Sequence, residues 1–184
     1  MFKKFDATEE VSGKALLKSS ACRALRASVV QQMPPIEPYL EEVLPKKAHV
    51  WQIKCRAYGS FYCDEDKQWL FYQDRDGAVY PSLRLLHRYP FLLPQVQVDR
   101  GAIRHVLRGA DVMSPGLTSA GGRLPEALPA GQVVAVMAEA KQHALAIGRL
   151  VLSSEQVRQE NRGVAVKNVQ YLNDDLWRIR RWME

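Results

Sequence analysis

The sequence predicts an α+β protein with two domains, and three observations support this fold class. Hydrophobic residues recur at helical spacing in residues 14–44, whereas residues 50–80 are rich in aromatic and β-branched residues separated by turn signals. Residues 94–171 then combine several short apolar, strand-like runs with one helical segment. A proline-bounded segment, residues 81–94, separates the two patterns and indicates a domain boundary.

The N-terminal domain is expected to be an antiparallel sheet backed by two helices. The first helix covers residues 14–32, where apolar residues recur on one face, and a proline pair ends it. A second, short helix from Ile36 to Leu44 ends at Pro45. The region from Val50 to Tyr80 has the alternating aromatic pattern of an antiparallel meander.

The segment between the domains is expected to hold them in a fixed orientation. It begins with a short helix from Ser82 to Arg88 and continues into the apolar run Phe91-Leu92-Leu93. Such leucines are expected to pack between the domains, because an apolar segment is poorly suited to be a flexible tether. We therefore predict that residues 1–93 form one domain, packed on a second domain of residues 94–184.

The C-terminal domain is expected to contain five short strands and one main helix. The helix spans Arg100 to Leu107, and its apolar face would hold Ile103, Val106 and Leu107. A long loop follows from Thr118 to Gly131, and a short final helix extends to Trp182. The five strands are expected at residues 96–98, 110–113, 133–138, 144–152 and 163–171.

The strongest functional signal lies in the helix that precedes the turn Gly109–Ala110. Arg100, Arg104 and Arg108 repeat every four residues on one helix face. Two very small residues follow, so a ligand backbone could approach the main chain closely. Arginine pairs with phosphates and stacks on bases, which makes the face suitable for RNA. The alternative is an ordinary solvated helix face.

Residues 98–117 resemble the opening of a PUA domain, an RNA-binding pseudo-β-barrel whose helix and Gly-Ala turn border the RNA groove. Residues 80–91, with the sequence YPSLRLLHRYPF, resemble the linker of the malignant T-cell-amplified-sequence family. Further segments continue this match in order, at residues 1–5, 45–47, 137–145 and 171–177. The resemblance covers nearly the whole chain and implies a pre-PUA domain followed by a PUA domain.

The resemblance also implies a function. Members of this family are translation factors without enzymatic activity that act on the small ribosomal subunit. They promote tRNA recycling, reinitiation and non-canonical initiation, together with density-regulated protein as a heterodimer partner. The expected ligands are therefore small ribosomal subunit RNA and the tRNA acceptor end. The alternative is a protein-interaction adaptor whose basic surface is incidental.

Transferred to this chain, the resemblance gives a set of candidate RNA-binding residues. They are Arg100, Gly101, Arg104, His105, Arg108, Gly109, Ala110, Lys141 and His143. His105 would stack on a terminal base or would be a packed, neutral histidine. Residues 141–143 would form the far wall of the groove or a solvated turn, and Ala140 stands where relatives commonly have glycine. Lys46 and Lys47 would contact ribosomal RNA or belong to a plain surface loop.

Composition agrees with this interpretation. The net charge of +6 and the isoelectric point near 9.3 favour a polyanionic partner. Cys22, Cys55 and Cys63 are odd in number and lack metal-ligand spacing, so we expect buried thiols in a reducing compartment. The sequence has no catalytic motif, so we expect no enzyme, cofactor or metal. No apolar run approaches the roughly 18 residues of a membrane span, and we expect a cytoplasmic protein.

Overall fold

The α+β fold class is confirmed by a computed structural model, which describes Phe2, residues 4–179 and Trp182. The chain forms two compact units. The N-terminal unit comprises Phe5–Leu85 with Ile179–Glu184, and the C-terminal unit comprises Leu86–Arg178 with Met1–Lys4. Each unit is built on one five-stranded sheet.

The N-terminal unit contains the predicted antiparallel meander. Its strands are β1 (Val11–Leu16), β2 (Trp51–Cys55), β3 (Gly59–Cys63), β4 (Trp69–Asp74) and β5 (Val79–Pro81), and they lie in this order in the sheet. Its helices are α1 (Ala7–Glu10), α2 (Ser19–Gln32), a 3₁₀ helix (Pro34–Tyr39) and α3 (Leu40–Val43), while α4 (Leu83–Arg88) spans the division between the units.

Aromatic residues form the core on one face of this sheet. The Phe61 ring lies 5.0 Å from that of Trp182 and 4.9 Å from that of Tyr72, measured between ring centroids. Phe5 packs edge-on against Trp182 at 5.7 Å. Trp182 is only 2% exposed, so it is a core residue of this unit.

The first predicted helix was placed too early in the chain. Residues Val11–Leu16 form β1, which pairs antiparallel with β2, and the helix begins only at Ser19. A strand at the sheet edge buries little of its surface, so its sequence shows no clear alternation. The second helix begins earlier than expected, at Pro34, because proline is tolerated in a first helical turn, where its missing N–H would have no partner. Gly59, one of the turn signals between residues 50 and 80, begins β3.

The C-terminal unit contains five strands and five helices or parts of helices in the described chain. The strands are β6 (Gln95–Val98), β7 (Val112–Met113), β8 (Val133–Ala138), β9 (Ala146–Leu150) and β10 (Val164–Tyr171). The helices are α5 (Arg100–Val106), α6 (Ser114–Thr118), α7 (Ser154–Glu160) and α8 (Asp175–Arg178), in addition to the end of α4. The strand order is β6-β8-β9-β10-β7.

The basic helix α5 lies in the connection between two parallel strands. β6 pairs parallel with β8, whereas all other strand pairs of this sheet are antiparallel. Between β6 and β8 the chain forms α5, reaches the opposite sheet edge at β7, and returns through α6 and a loop. Val106 of α5 and Val112 of β7 belong to the buried core of the sheet. The connection is therefore anchored at both edges.

Several sequence expectations for this unit need correction. Helices α6 and α7 were not predicted, and the final helix ends at Arg178; Arg180 and Arg181, expected at its basic end, lie outside the described residues. Leu107 is 38% exposed, because α5 ends at Val106 and Leu107 is its C-cap.

Other expectations agree with the structure. The three cysteines are buried and not joined by disulfides, as predicted. Within the described residues, no helix is long and apolar enough to cross a membrane.

Candidate nucleic-acid interface

Two carboxylates fix the start of α5. The Asp99 side chain accepts a hydrogen bond from the backbone N of Ala102 at 2.8 Å, which is the geometry of an N-cap. Glu139 accepts from the backbone N of Arg100 at 3.1 Å. Ser119 Oγ donates to Asp99 Oδ2 at 2.6 Å, and this hydrogen bond holds the pKa of Asp99 below its usual value. The helix start is thus held in place, and Asp99 is ionised at neutral pH.

The arginines predicted to bind RNA lie on the surface. Arg100, Arg104 and Arg108 are all exposed, and among the described residues none of them forms an ion pair. With 3.6 residues per helical turn, a four-residue repeat places them along one side of α5 and its C-terminal extension. Arg104 Nε lies 3.3 Å from His105 Nε2. We call these three residues the arginine stripe.

A pocket of about 640 Å³ lies beside the arginine stripe. Four of its lining residues come from α5, at positions that follow the stripe residues by one or two, which is about 100° to 200° around the helix axis. One of them, His105, contacts Arg104 of the stripe. The full lining comprises Asp99, Gly101, Ala102, His105, Val106, Ala110, Asp111, Val112, Met113, Pro115, Gly116 and Ser119. Its walls are largely apolar, with a few polar groups, which is typical of small-ligand sites.

Three predicted site residues line this pocket: Gly101, His105 and Ala110. His105 is exposed, so the alternative of a packed histidine is wrong. Ala110 is also exposed and lies before β7, whereas the sequence placed it inside a strand. Its carbonyl accepts from Asn168 Nδ2 at 3.0 Å, which fixes the backbone at the pocket wall.

Gly109 has a different role from the one suggested by sequence. Its φ is +83°, and a Cβ at this position would lie 2.9 Å from Cε1 of Tyr171. The absence of a side chain is therefore required by packing within the chain. Close approach of a ligand backbone is not needed to explain this glycine.

Lys141 and His143 lie outside the pocket lining. Both are exposed and follow β8, and the His143 ring packs 5.1 Å from that of His87. His87 in turn places Nε2 2.7 Å from the carbonyl oxygen of Ala144. Ala140, which precedes them, has φ of +60°, a conformation that glycine adopts with less strain.

The two lysines of the N-terminal unit differ in their surroundings. Lys46 places Nζ 3.7 Å from Glu41 Oε1 and donates its backbone N–H to Glu41 Oε2 at 3.2 Å. Glu41 also pairs with Arg26. Both lysines are exposed, and of these two only Lys46 has a carboxylate of the described residues within ion-pair distance.

The sequence analysis named three of the twelve lining residues as site residues, and the nine that it missed include Asp99, Asp111, Met113 and Ser119. Asp99 carries a recognisable signal, because aspartate directly before a helix is a common N-cap. The other three are brought to the pocket by the tertiary fold. Within the described residues, no group of three or more His, Cys, Asp or Glu side chains could hold a metal ion.

Comparison with known proteins identifies the family. A Pre-PUA-like domain model matches residues 5–90, and a PUA domain model matches residues 94–172. The chain is 44% identical over 182 residues to malignant T-cell-amplified sequence 1-B of Xenopus laevis, covering 99% of both proteins. The chain belongs to the malignant T-cell-amplified-sequence family. The resemblance found in the sequence is thereby confirmed.

Other members of the malignant T-cell-amplified-sequence family show the same full-length similarity. The chain is 44% identical over 183 residues to malignant T-cell-amplified sequence 2 of Homo sapiens, covering 99% of both. It is 42% identical over 178 residues to translation machinery-associated protein 20 of Schizosaccharomyces pombe, covering 97% of the chain and 98% of that protein. Among solved structures, a hypothetical protein of Pyrococcus horikoshii matches with a TM-score of 0.73 and 26% identity, covering 91% of the chain and 99% of that protein.

Proposed function

We propose that this protein is a non-enzymatic, RNA-binding translation factor of the cytoplasm. It would act on the small ribosomal subunit in tRNA recycling, reinitiation and non-canonical initiation, together with a density-regulated-protein partner. The family relationship supports this proposal, since one relative is named a translation machinery-associated protein. The structural observation that carries it is the pocket beside the arginine stripe.

The two parts of this surface suit two parts of an RNA end. The arginine stripe would bind backbone phosphates, because guanidinium groups pair well with phosphate oxygens. The pocket would take the terminal nucleoside of a tRNA acceptor end, and its volume of about 640 Å³ is within the usual range for small-ligand sites. His105 at the pocket wall would stack on or hydrogen-bond to the base. Lys141 and His143 would contact RNA farther from the pocket.

The N-terminal unit would supply contacts to the ribosome and the partner protein. Lys47 is exposed and would bind ribosomal RNA phosphates, whereas the charge of Lys46 is partly offset by Glu41. This division would leave positioning of the RNA end to the C-terminal unit.

The test is binding of deacylated tRNA by the variant Arg104→Glu/Arg108→Glu. We expect loss of most binding and retention of the fold, because both side chains are exposed. With three phosphates contacted, the logarithm of the binding constant of the unmodified protein should fall with the logarithm of salt concentration with a slope of about −2. The matched control is Lys14→Glu/Lys18→Glu, which reverses two exposed cations of the N-terminal unit.

Two results would contradict the proposal. One is unchanged tRNA binding by a folded arginine variant. The other is equal binding of a linear RNA and a circular RNA of the same sequence, since only the linear RNA has an end to enter the pocket. Partner binding without RNA binding, insensitive to salt, would instead favour the adaptor interpretation.

A further inference from the structure

The charges inside the pocket are opposite to those of the arginine stripe. Asp99 and Asp111 line the pocket, and among its described lining residues there is no lysine or arginine. A surface that binds phosphates would be expected to carry cations throughout. Here the arginines of the stripe lie on a different side of α5, and the carboxylates lie within the pocket.

Both carboxylates are held in fixed positions by donors. Asp99 accepts from the backbone N of Ala102 and from Ser119 Oγ, at 2.8 and 2.6 Å. Asp111 accepts from the backbone N of Asn168 through Oδ1 and from Lys167 Nζ through Oδ2, each at 2.9 Å. At Asp99 these hydrogen bonds lower the pKa of the carboxyl group and so favour its ionised form. Because a carboxylate has about four lone-pair sites, each still has acceptor capacity for a ligand.

This arrangement distinguishes the chemical groups that can end an RNA chain. A 3′-terminal nucleoside with free 2′- and 3′-hydroxyl groups has two neighbouring donors that a carboxylate can accept. A terminal phosphate has only acceptor oxygens near neutral pH and carries negative charge. Placed in this pocket, it would face the carboxylates of Asp99 and Asp111, and no lysine or arginine among the described lining residues would offset the repulsion. Lys167 offsets this repulsion only in part, because it does not line the pocket and is already paired with Asp111.

We propose that Asp99 and Asp111 make the pocket selective for an RNA 3′ end with free hydroxyl groups and cause it to reject a 3′-phosphate. The inference rests on the proposed function, in which the pocket takes an RNA end. It adds the chemical class of that end and the residues that determine it. Products of cleavage that leave a 3′-phosphate would therefore be excluded, whereas mature 3′ ends would bind.

The experiment compares two short single-stranded RNAs of the same sequence by fluorescence anisotropy. One carries a 5′-phosphate and a 3′-hydroxyl, and the other carries a 5′-hydroxyl and a 3′-phosphate. Their total charge is equal, so their long-range attraction to the arginine stripe is the same. We expect the 3′-phosphate RNA to bind at least about tenfold more weakly, since like charges in contact oppose binding.

Three variants assign this difference to the carboxylates. In Asp99→Asn/Asp111→Asn, the affinities for the two RNAs should agree within about twofold, and Asn at position 99 still caps α5. Lys167→Met should widen the difference, because it leaves Asp111 without its cation. The matched control is Glu126→Gln/Glu155→Gln, which removes two exposed carboxylates outside the pocket. It should leave the difference in affinity between the two RNAs unchanged. Thermal unfolding checks the fold, and Asp111→Asn alone serves if the double variant unfolds.

The outcomes separate this inference from the proposed function. Equal affinity for the two RNAs in the unmodified protein would overturn the selectivity, and so would an unchanged difference in a folded Asp99→Asn/Asp111→Asn variant. If binding of the 3′-hydroxyl RNA requires the arginine stripe, the proposed function stands even when the selectivity fails. If neither RNA binds, both fail.

Discussion

Replacing Gly109 by alanine should destabilise the protein by about 2–4 kcal/mol. Two costs add at this position. With φ of +83°, an alanine is strained by about 1–2 kcal/mol, partly offset by a less flexible unfolded chain. The new Cβ would also lie 2.9 Å from Cε1 and 3.1 Å from Cζ of Tyr171, a residue that is 6% exposed. Overpacking of this kind costs about 1–3 kcal/mol.

A matched glycine in the same unit separates the two costs. Gly163 has φ of +73°, and a Cβ there would meet nothing within 4 Å. Gly163→Ala should therefore cost only the backbone term, about 0.5–1 kcal/mol. The assay is the free energy of unfolding in urea for both variants. In the background Tyr171→Ala, the cost of Gly109→Ala should fall to that of Gly163→Ala, because the ring is gone.

Equal destabilisation by Gly109→Ala and Gly163→Ala in the unmodified background would refute this argument. Packing against Tyr171 would then not explain the glycine, and close approach of a ligand backbone would again be the better explanation.

Three further predictions concern Ala110, Ala140 and Asp174. Ala110→Asp should weaken binding of a 3′-hydroxyl RNA by about tenfold or more, because the larger side chain takes up space in the pocket and its charge repels the RNA backbone phosphates. The loss of stability should be less than about 0.5 kcal/mol, because Ala110 is exposed, and a large loss of stability with normal binding would contradict this. Ala140→Gly should raise the free energy of unfolding by about 0.5–1 kcal/mol, since φ is +60° there, and no gain in urea unfolding would show that the turn is unstrained. Burial raises the pKa of Asp174 to about 6 from the ordinary value of 3.8, so the folded protein holds this proton more tightly than the unfolded chain. As the pH rises from about 4 to 6, the wild type should lose about 2–3 kcal/mol of stability relative to Asp174→Asn, and a pH-independent difference between the two proteins would count against the buried carboxyl.

The parts of the fold that could be predicted are those with strong local patterns. The meander from β2 to β5 was predicted because its aromatic and β-branched residues alternate between acidic and glycine-containing turns. Strand β1 was missed because it is an edge strand with mostly exposed residues. Helix α7 was missed although its start carries a capping box, in which Ser153 and Gln156 satisfy each other's backbone N–H groups. That signal was available in the sequence.

The candidate site was predictable only in part, because helix geometry places some of its residues and the tertiary fold places the others. The spacing of Arg100, Arg104 and Arg108 depends on helix geometry alone, so their common side could be expected. The pocket requires β7 to return to the neighbourhood of α5, and only this arrangement brings Asp111 and Met113 to the site. Gly109 was singled out correctly as a special position, but its partner Tyr171 lies in β10 and could not be identified from the sequence.

The parallel pairing of β6 with β8 also has a consequence for the order of folding. Val96 pairs with Val136, and all the residues that line the pocket lie between them in the chain. Antiparallel neighbours such as β8 and β9 can pair after closing only the short connection between them. By contrast, β6 and β8 must close a loop that contains α5, β7 and α6. We therefore expect the β8–β9 hairpin to form early and the pocket to mature with the last strand pairing. A nascent chain would complete the pocket, and with it the proposed RNA-binding surface, only after β10 has emerged to receive β7.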